Sequence, residues 1–138
     1  MKYKFFEDLA TADIAFEAEG DDLNELFEAC ALATFDIMVD LKSVKPEIKK
    51  IIRLENKNTE DLLFNFIEEL VYLKDVEIML FSRFKIDVKD NKLEAEMYGE
   101  KINQQKHKLR IDIKAVTLHK FEVKKEKNKW IARVIVDI

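Results

Sequence analysis

The sequence predicts an α+β fold: a two-layer sandwich with two helices packed on one face of a mostly antiparallel sheet. Three observations carry that prediction. Apolar residues recur at helical spacing twice, both times in the stretch up to Lys74. After Lys74 the pattern turns to alternation and stays there. Helices early and strands late argue for a meander covered by helices, not for repeated βαβ units. A chain of 138 residues suits one domain, 1–138, with one core.

Each element has its own signal. Ile14, Phe16 and Ala18 alternate with Ala15, Glu17 and Glu19, and Gly20 ends the run, which reads as a half-buried strand. Asp21 and Asp22 then offer an N-cap, with Glu25 placed as in a capping box. Leu23, Leu26, Phe27, Cys30, Thr34, Ile37 and Met38 follow at helical spacing, predicting a helix over 21–40. Pro46 marks a break, and Ile48 to Glu55 reads as a strand. Asn58 or Thr59 caps a second helix over 59–74, whose core face carries Leu62, Leu63, Phe66, Ile67, Leu70 and Leu73. Phe84, Ile86 and Val88 form one strand, Asp90-Asn91 a turn, and Leu93, Ala95 and Met97 the return strand, broken by Gly99. Leu109, Ile111 and Ile113 alternate as a further strand. Strands from Thr117 to Val123 and from Trp130 to Ile138 flank a lysine-rich turn.

Composition excludes several function classes. The formal net charge is −4, and no cluster of Lys and Arg is long enough to read as a nucleic-acid footprint, so no direct nucleic-acid binding is expected. Lys124, Lys125, Lys127 and Lys129 are interrupted by Glu126 and Asn128 and sit at a turn. Cys30 is the one cysteine, which leaves no internal disulfide and no thiol-based zinc site; its place on the apolar stripe reads as a buried hydrophobe. No apolar run approaches the ~20 residues that span a bilayer, and the N-terminus turns acidic at Glu7 and Asp8, unlike a signal peptide. A soluble, reducing, cytoplasmic setting is the expectation, with no membrane partner.

Chemistry is sparse. With Gly20 and Gly99 as the only glycines, the chain has neither a phosphate-binding glycine loop nor a dinucleotide fingerprint. His107 and His119 form no His-x-x-x-His pair, and nothing resembles a nucleophile elbow around Ser43 or Ser82. Two acidic residues are odd for their context. Asp13 follows the small, apolar stretch Ala10-Thr11-Ala12, and Asp137 follows Val134-Ile135-Val136 in a strand that looks buried. A carboxylate in such a strand needs a partner or a cation. The simpler reading makes Asp13 a turn residue and Asp137 a tail residue. The other has both, with the carboxylate of Ile138, hold a hard cation such as Ca²⁺, Mg²⁺ or Mn²⁺.

The sequence resembles the archease family from end to end. Thr11-Ala12-Asp13-Ile14 with Gly20 resembles the family's His-Thr-Ala-Asp-Ile…Gly signature. Leu62-Leu63-Phe64-Asn65-Phe66-Ile67-Glu68-Glu69-Leu70 resembles its Leu-Leu-x-x-Trp-Leu-x-Glu-Leu helix. Glu100 after Tyr98-Gly99, with His107 downstream, resembles its Gly-Glu…His segment. Lys114-Ala115-Val116-Thr117-Leu118-His119 resembles its Lys-Ala-Val-Thr-Tyr-His strand, and Trp130…Asp137-Ile138 its terminus. Ala10 stands where the family has His, Leu118 where it has Tyr, and Phe66 where it has Trp.

The resemblance implies a protein cofactor, not an enzyme. Archeases activate an RtcB-type RNA ligase of tRNA splicing, promoting its guanylylation and multiple turnover. On that basis Asp13, Asp137 and Ile138 are the expected metal positions, Lys114 the expected basic residue of activation, and His119, Glu100 and His107 accessory positions. The expected cofactor is a divalent metal ion and the expected partner the ligase. A small metal-dependent hydrolase using the same acidic residues, and a chaperone-like scaffolding protein without a metal role, are the alternatives.

Overall fold

Both helices begin where their caps dictate. The Asp22 carboxylate accepts the Glu25 N–H at 2.8 Å, while Glu25 reaches back to accept the Asp21 N–H at 3.1 Å, and helix α1 (Leu23–Met38) starts there. Helix α2 (Thr59–Val76) starts at Asn58, whose side chain accepts the Asp61 N–H at 2.8 Å. These contacts belong to the computed structural model, which describes residues 1–8 and 13–138. Ala10, Thr11 and Ala12 of the N-terminal signature lie outside the described residues.

Among the described residues, seven strands, all antiparallel, accompany the helices, as the α+β reading expects. They are β1 (Lys2–Asp8), β2 (Asp13–Gly20), β3 (Ile48–Glu55), β4 (Met79–Lys89), β5 (Lys92–Lys101), β6 (Ala115–Glu126) and β7 (Lys129–Asp137). They divide into a larger sheet ordered β1-β2-β7-β6 and a smaller one ordered β3-β5-β4. Helix α1 packs on β2 of the larger sheet and β4 of the smaller, and α2 packs on β6, β3 and β4, so the helices tie the sheets together.

That double duty explains the burial pattern of α1. Leu26, Phe27, Cys30, Phe35 and the alanines at 29, 31 and 33 are all buried, and they run around most of its circumference. Cys30 is a free, buried thiol, and burial pushes its pKa up, so it is inert. Phe27 stacks on Phe66 of α2 with ring centroids 6.0 Å apart, and Leu63 and Leu70 complete the seam with no exposed surface. Each such side chain contributes roughly 1.5–3 kcal/mol on burial. No helix among the described residues is long and apolar enough to cross a membrane.

Several boundaries differ from expectation. Strand β1 is an edge strand with Phe5 and Phe6 both more than two-fifths exposed, so it lacks the alternation by which strands are read. Gly99 does not end β5, which continues to Lys101. A Cβ at Gly99 would lie 1.8 Å from the Leu80 carbonyl oxygen, because β4 bulges between Phe81 and Arg83 and presses on it. Asp90 and Asn91 both have positive φ, the two-residue turn that suits the strand twist.

The expected strand over Leu109–Ile113 is not one. Its alternation is real, but its hydrogen bonds go to the end of α1: Arg110 N–H donates to Met38 O at 2.8 Å and Ile111 N–H to Ile37 O at 3.1 Å. The last turn of α1 has no basic residue of its own. Arg110 supplies one from 74 positions away, donating to both the carbonyl and the carboxylate of Asp36. A segment that caps a helix C-terminus in this way satisfies carbonyls that would otherwise lack partners.

Just past α2, Ile78 takes the left-handed conformation, with φ 56°. Glycine is usual there, since this backbone costs a residue with a Cβ roughly 1–2 kcal/mol. Ile78 is 46 % exposed, so packing recovers only part of that cost. Replacing it by glycine (Ile78→Gly) is therefore expected to raise the unfolding free energy by about 0.5–1 kcal/mol. Urea denaturation followed by circular dichroism measures this, and a lowered midpoint would show that the isoleucine packs better than its exposure indicates.

Candidate functional site

The first and last strands of the larger sheet's centre bring two carboxylates together. Strands β2 and β7 pair antiparallel with Asp13 directly opposite Asp137, and Val136 opposite Ile14. Ile14, Phe16 and Ala18 are buried while the intervening residues are not, so Asp13 stands on the outward face, as does the exposed Asp137. Directly opposed residues have Cβ atoms roughly 4.5–5.5 Å apart, and like charges so placed repel.

Elsewhere on that face, charge is balanced across strands. Glu17 pairs with Arg133 at 3.0 Å and with Lys4 at 4.0 Å, and Glu19 with Lys2 at 3.2 Å. Among the described residues, no cation pairs with Asp13 or Asp137. The opposed aspartates therefore form a negative end to an otherwise neutralised surface, and oxygen donors so arranged suit a hard cation. Among the described residues no group of three or more His, Cys, Asp and Glu side chains is disposed to hold an ion. Ile138, half-buried against the core beside Asp137, carries the oxygen donors nearest in sequence to that carboxylate. Asp8 of β1 is the ladder partner of Asp13, a position sequence reading missed because β1 itself was not legible.

Lys114 stands next to this pair. Its backbone N–H donates to Asp137 O at 2.8 Å, and its neighbour Ala115 is the ladder partner of Asp137 on β6. What holds Lys114 there is a buried lysine that the sequence did not single out. Lys74 of α2, 6 % exposed, donates from Nζ to Asp112 Oδ1 at 2.6 Å and to Ile113 O at 2.7 Å, and contacts Asp75 Oδ1 at 2.5 Å. Two hydrogen bonds and two nearby carboxylates compensate the buried charge. The helical pattern alone places Lys74 in a last turn, with no sign that it is buried.

The remaining candidates lie apart. His119 is exposed in the stretch of β6 that leaves β7 between Thr117 and Glu122, where Lys120 has φ 55° and Leu118 is 70 % exposed. Glu100 and His107 belong to the smaller sheet and the segment after it. They form a buried cluster, with His107 Nε2 2.6 Å from Glu100 Oε2 and the Lys106 ammonium on the other carboxylate oxygen. His107 Nδ1 accepts the Asn103 N–H at 2.9 Å, so the proton must sit on Nε2 and point at Glu100. The Lys45 N–H also donates to Glu100, at 3.0 Å. This arrangement locks residues 100–107 and the 44–46 turn; its groups are consumed by one another.

Comparison with known proteins places the chain among relatives. Residues 3–138 match the model of the Archease protein family (MTH1598/TM1083). The chain is 40 % identical over 140 residues to a protein archease of Sulfurisphaera tokodaii, covering all of this chain and 99 % of that one. It is 38 % identical to a protein archease of Pyrococcus furiosus, over 93 % of this chain and 94 % of that one. Its fold matches the solution structure of Methanobacterium thermoautotrophicum protein 1598 with a TM-score of 0.82 at 35 % identity, over 99 % of this chain and 98 % of that one. The crystal structure of a Thermotoga maritima archease, described as a possible chaperone, shares the fold with a TM-score of 0.68 at 22 % identity, over 93 % and 92 % of the two chains.

The buried cluster has a pH signature. Burial alone would raise the Glu100 pKa, but hydrogen bonds from Lys106, His107 and the Lys45 N–H outweigh it and hold the carboxyl down at about 2, against an ordinary 4.5. A depressed carboxyl stabilises the fold above its unfolded pKa, and that stabilisation fades as pH falls from 4.5 toward about 2. Glu100→Gln should lower stability at pH 7 by about 1.5–3 kcal/mol and flatten the pH dependence across that window. Chemical denaturation at pH 7, 4.5 and 3 tests this; an unchanged acid limb in Glu100→Gln would show that other carboxyls govern acid unfolding.

Proposed function

The chain belongs to the archease protein family, and from that membership together with its opposed aspartates we propose that it is a protein activator of an RtcB-type RNA ligase, with catalysis carried by the ligase. The single observation that supports this best is the opposed pair of half-buried Asp13 and exposed Asp137, which no ion pair engages among the described residues, at one end of the larger sheet with the Lys114 N–H bonded beside it. Such an end can carry a divalent cation on Asp13, Asp137 and Ile138. A cation placed there would help neutralise triphosphate charge during guanylylation of the ligase.

This chain's own residues then have separable parts. Asp13 and Asp137 gather negative charge, and among the described residues neither is engaged in an ion pair. Lys114 adds a positive charge one ladder position away, suited to a phosphate or an acidic group of the ligase. Lys74 keeps Lys114 in register by gripping Asp112 and Ile113. Nothing in this arrangement grips a small substrate, which favours activation over hydrolysis.

The test is multiple-turnover RNA ligation with purified ligase and limiting GTP. Wild-type protein should raise turnover, and Asp13→Ala or Asp137→Ala should lower that gain at least about tenfold while circular dichroism stays unchanged. Calcium or manganese at a hundredfold excess over its Kd should stabilise wild type by about 2.7 kcal/mol and leave both variants unmoved. Lys114→Ala should lose activation but keep the metal-dependent shift. Full activation by folded Asp13→Ala and Asp137→Ala proteins would remove the metal role and leave a docking or chaperone-like one.

A further inference from the structure

Strand β6 leaves its partner close to the acidic end. Thr117 stands opposite Ile135 and Glu122 opposite Arg133, so residues 118–121 face the single residue Val134 of β7. A bulge ordinarily sets two residues against one; this one sets four against one. Within it Lys120 has φ 55°, and among the described residues it is the one left-handed position inside a strand. The Thr117 hydroxyl, where the bulge begins, is buried with no hydrogen-bond partner among the described residues.

Part of this distortion serves the core. Phe121 packs against it, with its ring edge-on to Phe64 of α2 at 5.3 Å between centroids. A single extra residue would be enough to turn a strand's faces over. The surplus delivers Leu118 to solvent. At 70 % exposure it is the most exposed large apolar side chain among the described residues. A left-handed lysine, an interrupted ladder and an orphaned hydroxyl all weigh against the fold, and a leucine in water returns nothing to it. Outliers kept on such terms concentrate where a protein binds or reacts.

Position decides what the leucine is for. Ala115 is the ladder partner of Asp137, which makes Thr117 its diagonal neighbour, about 7–8 Å away. Leu118 lies one residue further on, so its Cα is within about 12 Å of Asp137. A stable protein–protein contact covers about 800 Å² on each partner, a patch roughly 30 Å across. A partner that receives the acidic end over a contact of that size centred there also covers Leu118.

We propose that Leu118, presented by the β6 bulge, is the apolar anchor by which this protein holds the ligase, and that the ligase offers it an apolar pocket beside the nucleotide site. The inference rests on the ligase-activator reading. It separates holding the ligase, through Leu118, from acting on it, through the acidic end. A second copy of this chain seated over the same area would cover the acidic end that the ligase must receive.

Affinity for the purified ligase, measured by biolayer interferometry, tests the proposal alongside multiple-turnover ligation. Leu118→Ser should weaken binding about tenfold and raise the concentration for half-maximal activation by the same factor. Its urea midpoint should stay at the wild-type value, because so exposed a side chain has little packing to lose. Leu118→Met, which keeps the apolar volume, should bind within about threefold of wild type. Ile51→Ser, at an exposed apolar side chain of the smaller sheet, should bind as wild type does. Wild-type affinity in Leu118→Ser would overturn the anchor while leaving ligase activation standing. An equal loss in Ile51→Ser would overturn it too, as unspecific adhesion of apolar surface. A wild-type protein that neither binds nor activates the ligase would overturn both readings. Single-stranded RNA binding, or self-association in analytical ultracentrifugation, that is lost in Leu118→Ser while ligase affinity is unchanged would overturn the anchor in favour of that occupant.

Discussion

The pairing of β2 with β7 is the contact on which the rest of the molecule depends. These strands are the inner pair of the larger sheet, with β1 and β6 attached outside them. Their inward residues, Ile14, Phe16 and Ala18 against Ala132, Val134 and Val136, form the floor on which α1 rests. One ladder register therefore sets the core on one face and the order of charges on the other. A slip by one residue would turn Phe16 outward and move Asp13 off Asp137 in the same motion, so packing energy enforces the register of the charged end. The local cost of two opposed aspartates, of order 0.2–1 kcal/mol, is small beside the burial of any one of those side chains.

A second constraint acts through the end of α1. Its last carbonyls are satisfied by a segment that is distant in sequence, and the same segment is gripped from the other side by Lys74 of α2. The irregular chain between β5 and β6 is thus irregular in shape but not in support. Its backbone is bonded to α1, its carbonyl at Ile113 to α2, and its final N–H to β7. Glu100, Lys106 and His107 close its beginning in the same manner. Side chains such as Lys108 are left to face outward from this fixed backbone.

Much of this was legible in the sequence, and the failures have physical reasons. The caps at Asp22 and Asn58, the Asp90-Asn91 turn and the buried faces of both helices follow from local chemistry, and local chemistry is what a sequence displays. Strand β1 was not legible because, at an edge with both faces partly wet, Phe5 and Phe6 need not alternate with polar residues. The 109–113 stretch alternates as a strand does, yet its partner is a helix end, and no local pattern tells one acceptor from another. The division of strands into two sheets is likewise a tertiary fact. At the candidate site, Asp13 and Asp137 were conspicuous as acids in apolar company, but their meeting required the strand order. Lys74, lying on a helix with hydrogen-bond acceptors 38 and 39 residues further along the chain, left no trace that periodicity could detect.

The wide separation of β2 and β7 also bears on how the protein is made. A ribosome emits Gly20 long before Lys129, and at about 5–20 residues per second the interval is on the order of 5–20 s. Throughout that time one side of β2 offers unpaired N–H and C=O groups, with Phe16 and Ala18 uncovered by their eventual neighbours. The nascent chain can complete its two helices and the smaller sheet meanwhile, since β3, β4 and β5 are contiguous around α2. The larger sheet must wait, and with it the acidic end, which comes into being only at the last step of folding.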